Sequence, residues 1–208
     1  MKTQAASYRA AVAIRYWHSA RIILSQQGRP IQFMEPVAHL LATAAELILK
    51  AYLTDAGLPD TQLSGKKVGH DLRTCLRLSI ERGLCVSEGE ATCLLAMRSA
   101  HLSHFNRYGP KSTAGYLRLG AFEMADEQAS LKRVGEIIDR VSGNADKLRV
   151  GFGPDSTRLV WPEALPLLQC VDGQTLRVIE ARQRARSDQV ASLNAKFERE
   201  GLTSSAPK

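Results

Sequence analysis

The feature that most constrains the fold of this chain is the helical spacing of its apolar residues, which recur every three or four positions through most of residues 1–143. In the segment 4–27 the inward positions are Ala13, Trp17, Ala20 and Leu24. Glycine and proline follow this segment, as they follow several later ones, and mark its end. The pattern predicts a mainly α fold, an antiparallel bundle of four or five helices with short connections.

The second predicted helix begins near Met34 and carries a wide apolar stripe. Its inward positions are Val37, Leu40, Leu41, Ala44, Leu47, Ile48, Ala51 and Tyr52. A stripe of this width predicts a central helix that is covered on more than one side. Glu46 and Lys50 lie inside it at the i, i+4 spacing that favours a helical ion pair. Gly57-Leu58-Pro59 is predicted to end the helix, and Thr61–Gly69 is predicted to be a polar loop.

Three further helices complete the predicted bundle. The third opens at His70-Asp71, where Asp71 suits the N-cap or the first turn, and it closes at Gly83. Ser87 is followed three residues later by Glu90, a capping box that predicts the start of the fourth helix. The fifth helix is predicted over about Ala121–Val141. The chain order is therefore five helices, with the Glu46–Lys50 helix second.

The last third of the chain has a different pattern and is predicted to be an extension, residues 144–208, beside a domain formed by residues 1–143. Leu148–Phe152 and Arg158–Trp161 flank a Gly-Pro-Asp-Ser turn and predict a short β-hairpin. A final basic helix is predicted over Gln174–Glu200, with apolar residues at heptad spacing and a polar middle. That polar middle favours a helix docked on the bundle over a coiled coil.

The charge balance permits a polyanionic partner but does not require one. The net charge is +7, of which residues 1–110 carry +5, so the excess is not a basic tail. The arginines on or near the third and fourth helices are predicted to share a face with His104 if RNA is the ligand. They are Arg73, Arg77, Arg82, Arg98 and Arg107.

No membrane partner and no secretion signal are predicted, and a cytoplasmic location is expected. The longest stretch without an acidic or basic residue is Pro36–Ala45, whereas roughly 20 apolar residues are needed to cross a bilayer. The apolar run Ala10–Ile14 is short and is bracketed by Arg9 and Arg15, which does not suit a signal sequence.

The four cysteines are predicted to be buried, reduced thiols of a cytosolic protein. They are Cys75, Cys85, Cys93 and Cys170. None forms a C-x-x-C pair, so the spacing typical of zinc ligands is missing, although a zinc site is the alternative. Cys75 and Cys93 fall on apolar positions of helical patterns and are expected in the core.

Polar residues that can carry chemistry concentrate on the fourth helix and its exit. Arg98, His101 and His104 are three residues apart in turn, which places them on one slanted strip of a helix. An arginine can hold a phosphate, and a histidine can exchange a proton near neutral pH. Metal-free RNA cleavage needs these groups. The alternatives are a solvated helix face and, for His101, a core histidine with a hydrogen-bonded ring.

Three short segments carry a resemblance to a known family. They are Ala44-Ala45-Glu46-Leu47-Ile48-Leu49-Lys50-Ala51-Tyr52-Leu53, His70-Asp71-Leu72 and the stretch from Arg98 to His104. Together with the order of the five helices, they resemble the HEPN domains (higher eukaryotes and prokaryotes nucleotide-binding domains). The resemblance covers about residues 5–143 and leaves the last third of the chain unexplained.

The resemblance implies a function and roles for particular residues. Many members of the HEPN family, which this chain resembles, are metal-independent endoribonucleases, often toxins or phage-defence effectors. In these proteins an arginine and a histidine pair across a homodimer interface. In this chain the resemblance implies that Arg98 holds the scissile phosphate, that His104 is the general acid or base and that His101 assists. No metal or other cofactor is expected. Substrate contacts are expected from Asn106, Arg107 and Tyr108, and a structural or supporting role from Glu46, Lys50, His70 and Asp71.

Two alternatives to catalysis stay open at this point. Ser99 follows Arg98, where the family usually has Asn, Asp or His, and this departure favours a non-catalytic binding or scaffolding module. Such a module would act with a nucleotidyltransferase-like antitoxin or another protein partner. Glu46 and Lys50 are about as well explained by a partly buried ion pair that orients helices, and Asp71 by a helix cap.

Overall fold

The computed structural model describes residues 3–26, 34–65, 68–103, 126–142 and 169–199, and within these ranges it contains helices and no strand. The seven described helices are α1 (Gln4–Gln26), α2 (Met34–Asp55), α3 (Asp60–Ser64), α4 (Leu72–Glu81), α5 (Glu88–Leu102), α6 (Glu127–Ser142) and α7 (Gly173–Arg199). A helical bundle is therefore confirmed. The predicted β-hairpin at 148–161 lies outside the described residues.

Helix α2 is the centre of the bundle, as its wide apolar stripe predicts. It packs against α1, α4, α5 and α6. Val37, Leu41, Ile48 and Leu49 along α2 are completely buried. Burial of these side chains against four neighbouring helices supplies the main hydrophobic stabilisation of the fold.

The same helix has the length and composition of a membrane span. In the described part of the chain, Glu35–Asp55 is the one stretch that meets this test, with a most apolar window of mean hydropathy 1.3. Of that window, 61% is buried inside the protein. The central helix of a folded domain passes the same test, so the absence of a membrane partner stays a prediction.

Side-chain caps fix the starts of two helices as predicted. Asp71 is the N-cap of α4, and its carboxylate accepts hydrogen bonds from the Arg73 backbone N–H and the Thr74 hydroxyl. At the start of α5 the Ser87 hydroxyl accepts from the Glu90 N–H at 3.2 Å, and the Glu90 carboxylate accepts from the Ser87 N–H at 2.7 Å. The capping box is thus confirmed.

The loop predicted over Thr61–Gly69 is wrong in its first part, because α3 begins at Asp60 and runs to Ser64. The physical reason is tertiary. Leu63 is only 1% exposed, so one apolar side chain anchors this single turn in the core. The surrounding polar residues gave no helical periodicity from which the turn could be read.

Helix α6 packs against α1, α2 and α5, and α7 packs against a different set of helices. The indole N–H of Trp17 on α1 donates to the Leu131 carbonyl on α6 at 2.7 Å. Helix α7 packs against α5 and α4, with Leu176 and Ile179 each 2% exposed. Docking of the last helix is therefore confirmed for its first two turns, whereas residues 184–189 are exposed.

The prediction of four reduced thiols is wrong for two of them. Cys85 and Cys170 form a disulfide between residues that are 85 positions apart, with a Cα–Cα distance of 5.0 Å. Beside it, the Val171 N–H donates to the Val86 carbonyl at 2.7 Å, so docking of the segment before α7 brings the two cysteines together. Cys75 and Cys93 are buried free thiols, as predicted. Burial raises the pKa of Cys75 to about 12, which leaves it protonated and unreactive at neutral pH.

Candidate functional site

A buried carboxylate on the central helix collects three hydrogen-bond donors. Glu46 is 5% exposed, and its Oε1 accepts from the Lys50 Nζ at 2.7 Å. Its Oε2 is 2.7 Å from the His101 Nε2 and 3.0 Å from the His70 Nδ1. An ionised carboxylate can only accept hydrogen bonds, so both of these ring nitrogens carry the proton. We refer to Glu46, Lys50, His70 and His101 as the carboxylate cluster.

The members of the carboxylate cluster are positioned partly by local features of the sequence and partly by helix packing. The i, i+4 spacing sets Lys50 one turn from Glu46 on α2, and α5 packs on α2 and brings His101 to it. His70 stands in the turn that precedes α4. Gly69 before it has a φ of 46°, a left-handed conformation that glycine adopts without strain.

The environment of Glu46 keeps it ionised. Burial by itself would raise the pKa of this carboxyl group. Hydrogen bonds from His101 and Lys50, the positive charge of Lys50 and the hydrogen bond from His70 together outweigh burial and lower the pKa to about 2. At neutral pH the cluster therefore contains a buried anion.

A second ion pair lies directly beside the carboxylate cluster. Arg98 donates from Nε to one oxygen of Asp71 at 2.5 Å and from Nη2 to the other at 3.3 Å, a bidentate contact. Burial raises the pKa of Asp71, but hydrogen bonds from Arg98 and Thr74 lower it by more. Because Asp71 follows His70 in the chain, the Arg98 guanidinium is held next to the cluster.

The exposure of these groups differs in a way that matters for chemistry. His101 is only 5% exposed, whereas the side chain of His70 is 60% exposed and that of Arg98 34%. The two imidazole rings are edge to face, with centroids 6.3 Å apart. Solvent and ligands thus meet His70 and Arg98 first, and His101 lies behind them against Glu46.

The structure brings together six of the residues singled out from the sequence. They are Glu46, Lys50, His70, Asp71, Arg98 and His101. The core-histidine interpretation of His101 and the buried ion-pair interpretation of Glu46 and Lys50 both match this geometry. His104, Asn106, Arg107 and Tyr108 lie outside the described residues.

The sequence indicated a supporting role for His70 but not that it would be the exposed histidine of the site. Its proximity to His101 depends on the packing of α4 and α5 around Glu46, 24 residues earlier in the chain. The available signal was the His70-Asp71 pair itself, one residue directed to Glu46 and the next to Arg98. A polar pair that opens a helix is otherwise typical of a cap alone.

Several arginines of the third and fourth predicted helices are engaged by acids. Arg73 pairs with Glu180 of α7 at 2.7 Å, and Arg77 pairs with Glu81 at 3.7 Å. With Arg98 on Asp71, three of the five arginines expected to meet RNA have acidic partners. The Arg73 contact instead fastens α7 to α4, a structural use that the composition did not indicate.

Comparisons with protein-family models, with curated proteins and with solved structures found no match for this chain. The resemblance to HEPN domains therefore stays a prediction that rests on the residues themselves.

Proposed function

We propose that this protein is a HEPN-like RNA-binding protein of the cytoplasm that cleaves RNA without a metal ion, as a homodimer of toxin or phage-defence type. The observation that supports this best is the carboxylate cluster with Arg98 beside it. His101, held by a buried anion next to an arginine, supplies with that arginine two of the groups that phosphodiester transfer within RNA requires, and His104 is proposed as the third.

The chemistry follows from those groups. One histidine removes the proton of the 2′-hydroxyl, whose oxygen attacks the phosphorus, and a second protonates the departing 5′-oxygen. His101, whose Nε2–H is directed at Glu46, is proposed as the proton donor and His104 as the base. Arg98 releases Asp71, binds the phosphate in its place and offsets the negative charge on the phosphate. Asn106, Arg107 and Tyr108 complete the substrate contacts.

The test is RNA cleavage in the presence of EDTA, with structured and unstructured RNA. Wild type is expected to cut, and Arg98→Ala and His104→Ala are expected to lose at least about a hundredfold in rate, the scale of general acid–base catalysis. His18→Ala, which removes a histidine of α1 outside the cluster, is the matched control and should cut as wild type does. Intact RNA with wild type across the substrates would overturn the proposal.

A second function, a non-catalytic module that binds RNA or a nucleotidyltransferase-like or other protein partner, is favoured by a specific observation. Arg98 is already paired with Asp71, and His101 is almost completely buried. Both groups then serve to fix α5 against α2 and α4. In that case Arg98→Ala binds RNA as wild type does in a salt titration but unfolds at a lower temperature.

A further inference from the structure

Three atoms of the carboxylate cluster have the chemistry and the closeness of metal ligands. The Glu46 carboxylate oxygen, one ring nitrogen of His70 and one of His101 all lie within 4.8 Å of one another. We propose that Glu46, His70 and His101 form a binding site for a divalent transition-metal ion, with Zn²⁺ as its best fit.

The distances require only a small adjustment. Zn²⁺ binds imidazole nitrogen and carboxylate oxygen at about 2.0–2.2 Å, which sets neighbouring ligand atoms of a tetrahedral site roughly 3.4 Å apart. Oε2 of Glu46 is now 2.7 Å from the His101 nitrogen and 3.0 Å from the His70 nitrogen. The exposed His70 ring can move outward, and the buried Glu46 and His101 atoms must separate by about 0.7 Å to admit the ion. The two coordinating nitrogens give up their protons when the ion binds.

Lys50 holds the carboxylate in place for this role. It donates to Oε1, while Oε2 faces His101 at 2.7 Å and His70, which lies 3.0 Å from Oε2 and 3.1 Å from Oε1. Hydrogen bonds of this kind orient the carboxylate ligands of metal sites. Its positive charge opposes that of the ion, so the affinity is expected to be moderate rather than that of a permanent structural site.

The ligand set also decides which ion fits and how it enters. Two imidazoles and one carboxylate favour Zn²⁺ and Co²⁺, whereas Mg²⁺ prefers oxygen ligands. Three protein ligands leave one position for water, an arrangement of open sites. The side chain of His70 is 60% exposed, so an ion from solvent would bind it first and then reach the buried Glu46 and His101.

One consequence rests on the proposed function, although metal binding itself does not. A bound ion would occupy the His101 Nε2, the atom from which a proton would be donated during RNA cleavage. We therefore expect Zn²⁺ to inhibit the ribonuclease. Inhibition and binding are measured separately, so a protein that cleaves no RNA can still bind the ion.

The experiment is titration of the EDTA-treated, desalted 208-residue chain with Co²⁺, read by its visible absorption, followed by displacement with Zn²⁺. Wild type is expected to bind one equivalent, and an excess of Mg²⁺ should not displace it. His70→Ala is expected to weaken binding at least about tenfold. His70 is the variant of choice because its exposed side chain can be removed with the fold retained.

His18→Ala is the matched control and should bind as wild type does. A second readout is the melting temperature, which Zn²⁺ should raise for wild type and for His18→Ala but not for His70→Ala. If wild type binds no Co²⁺ or Zn²⁺, or if His70→Ala binds as tightly as wild type, the metal site is wrong.

Discussion

Glu46 is the residue on which most of the buried polar structure depends. Lys50 is 9% exposed and His101 5%, and each directs a nitrogen to this carboxylate at 2.7 Å. A buried ion pair contributes little net stability as a pair, but removal of one partner leaves the other charge uncompensated. The cluster is therefore sensitive to loss of a single member.

Replacement of Glu46 by glutamine should destabilise the protein by about 3–5 kcal/mol, because Lys50 becomes a buried cation without a counter-charge. Urea unfolding measures the loss. Glu81→Gln is the matched control, since the pair of Glu81 with Arg77 is exposed on both sides and is worth about 0–1 kcal/mol. Similar losses in the two variants would contradict a central role for Glu46.

The lowered pKa of Glu46 also predicts how stability responds to acid. The folded-state pKa is about 2 against an ordinary value of 4.5, so the ionised carboxylate stabilises the fold fully above 4.5. That contribution, about 3 kcal/mol, is lost as the pH falls from 4.5 through 2. Urea unfolding at about pH 5 and about pH 3 should therefore show a larger decline for wild type than for Glu46→Gln. Equal declines would argue against the lowered pKa.

At the scale of residues, the sequence allowed the members of the site to be named but not the contacts between them. The i, i+4 pair of Glu46 and Lys50 is local and could be predicted. The contact of His101 with Glu46 spans 55 positions and depends on how α5 is rotated about its axis. The spacing of Arg98 and His101 fits a surface strip as well as a buried one, so only packing decides between them.

At the scale of elements, α7 is attached by one covalent link and a few contacts. The disulfide between Cys85 and Cys170, the buried Leu176 and Ile179 and the pair of Glu180 with Arg73 hold its first turns. Residues 184–189, farther along the helix, are exposed. Attachment of the helix therefore depends strongly on its N-terminal end.

Removal of the disulfide in a Cys85→Ser, Cys170→Ser double variant should loosen α7 before it loosens α2. Closing a loop of this length is worth about 4–5 kcal/mol in the chain-entropy model. Hydrogen exchange should show lower protection of α7 amides, with α2 amides changed less. A reductant should reproduce the effect in wild type and add nothing to the double variant. Unchanged exchange in α7 would contradict this account.

Elements with local signals were predictable, and elements without them were not. Neighbouring residues determine the caps at Asp71 and Ser87 and the periodicity of α2, and these predictions are confirmed. Helix α3 depends on the burial of Leu63, and the disulfide depends on the docking of a distant segment. Neither α3 nor the disulfide could therefore be predicted from a short stretch of neighbouring residues.

At the scale of the whole molecule, only part of the excess positive charge is available to contact an anionic ligand, because some arginines are paired with acids. The net charge is +7, yet Arg73, Arg77 and Arg98 have acidic partners. Residues 184–189 of α7 are exposed and include Arg184 and Arg186. If the protein binds RNA, this stretch is expected to contribute to the contact with phosphates.

An Arg184→Gln, Arg186→Gln double variant should therefore bind single-stranded RNA with a weaker salt dependence. The slope of log K against log salt is negative, and each lost phosphate contact reduces its magnitude by about 0.7, which gives about 1.4 for two contacts. Fluorescence anisotropy over a range of salt concentrations measures the slope. Arg77→Gln is the matched control because Glu81 already compensates its charge. A slope equal to that of wild type would exclude this stretch from the RNA contact.

The disulfide between Cys85 and Cys170 determines what a protease cut does to the covalent structure of the chain. Any single backbone cut between these two residues produces two fragments that remain joined. A protease-nicked chain would then migrate as one species on a non-reducing gel and separate into two only after reduction. The central part of the sequence can thus be cut once while the N-terminal helices and α7 stay on the same molecule.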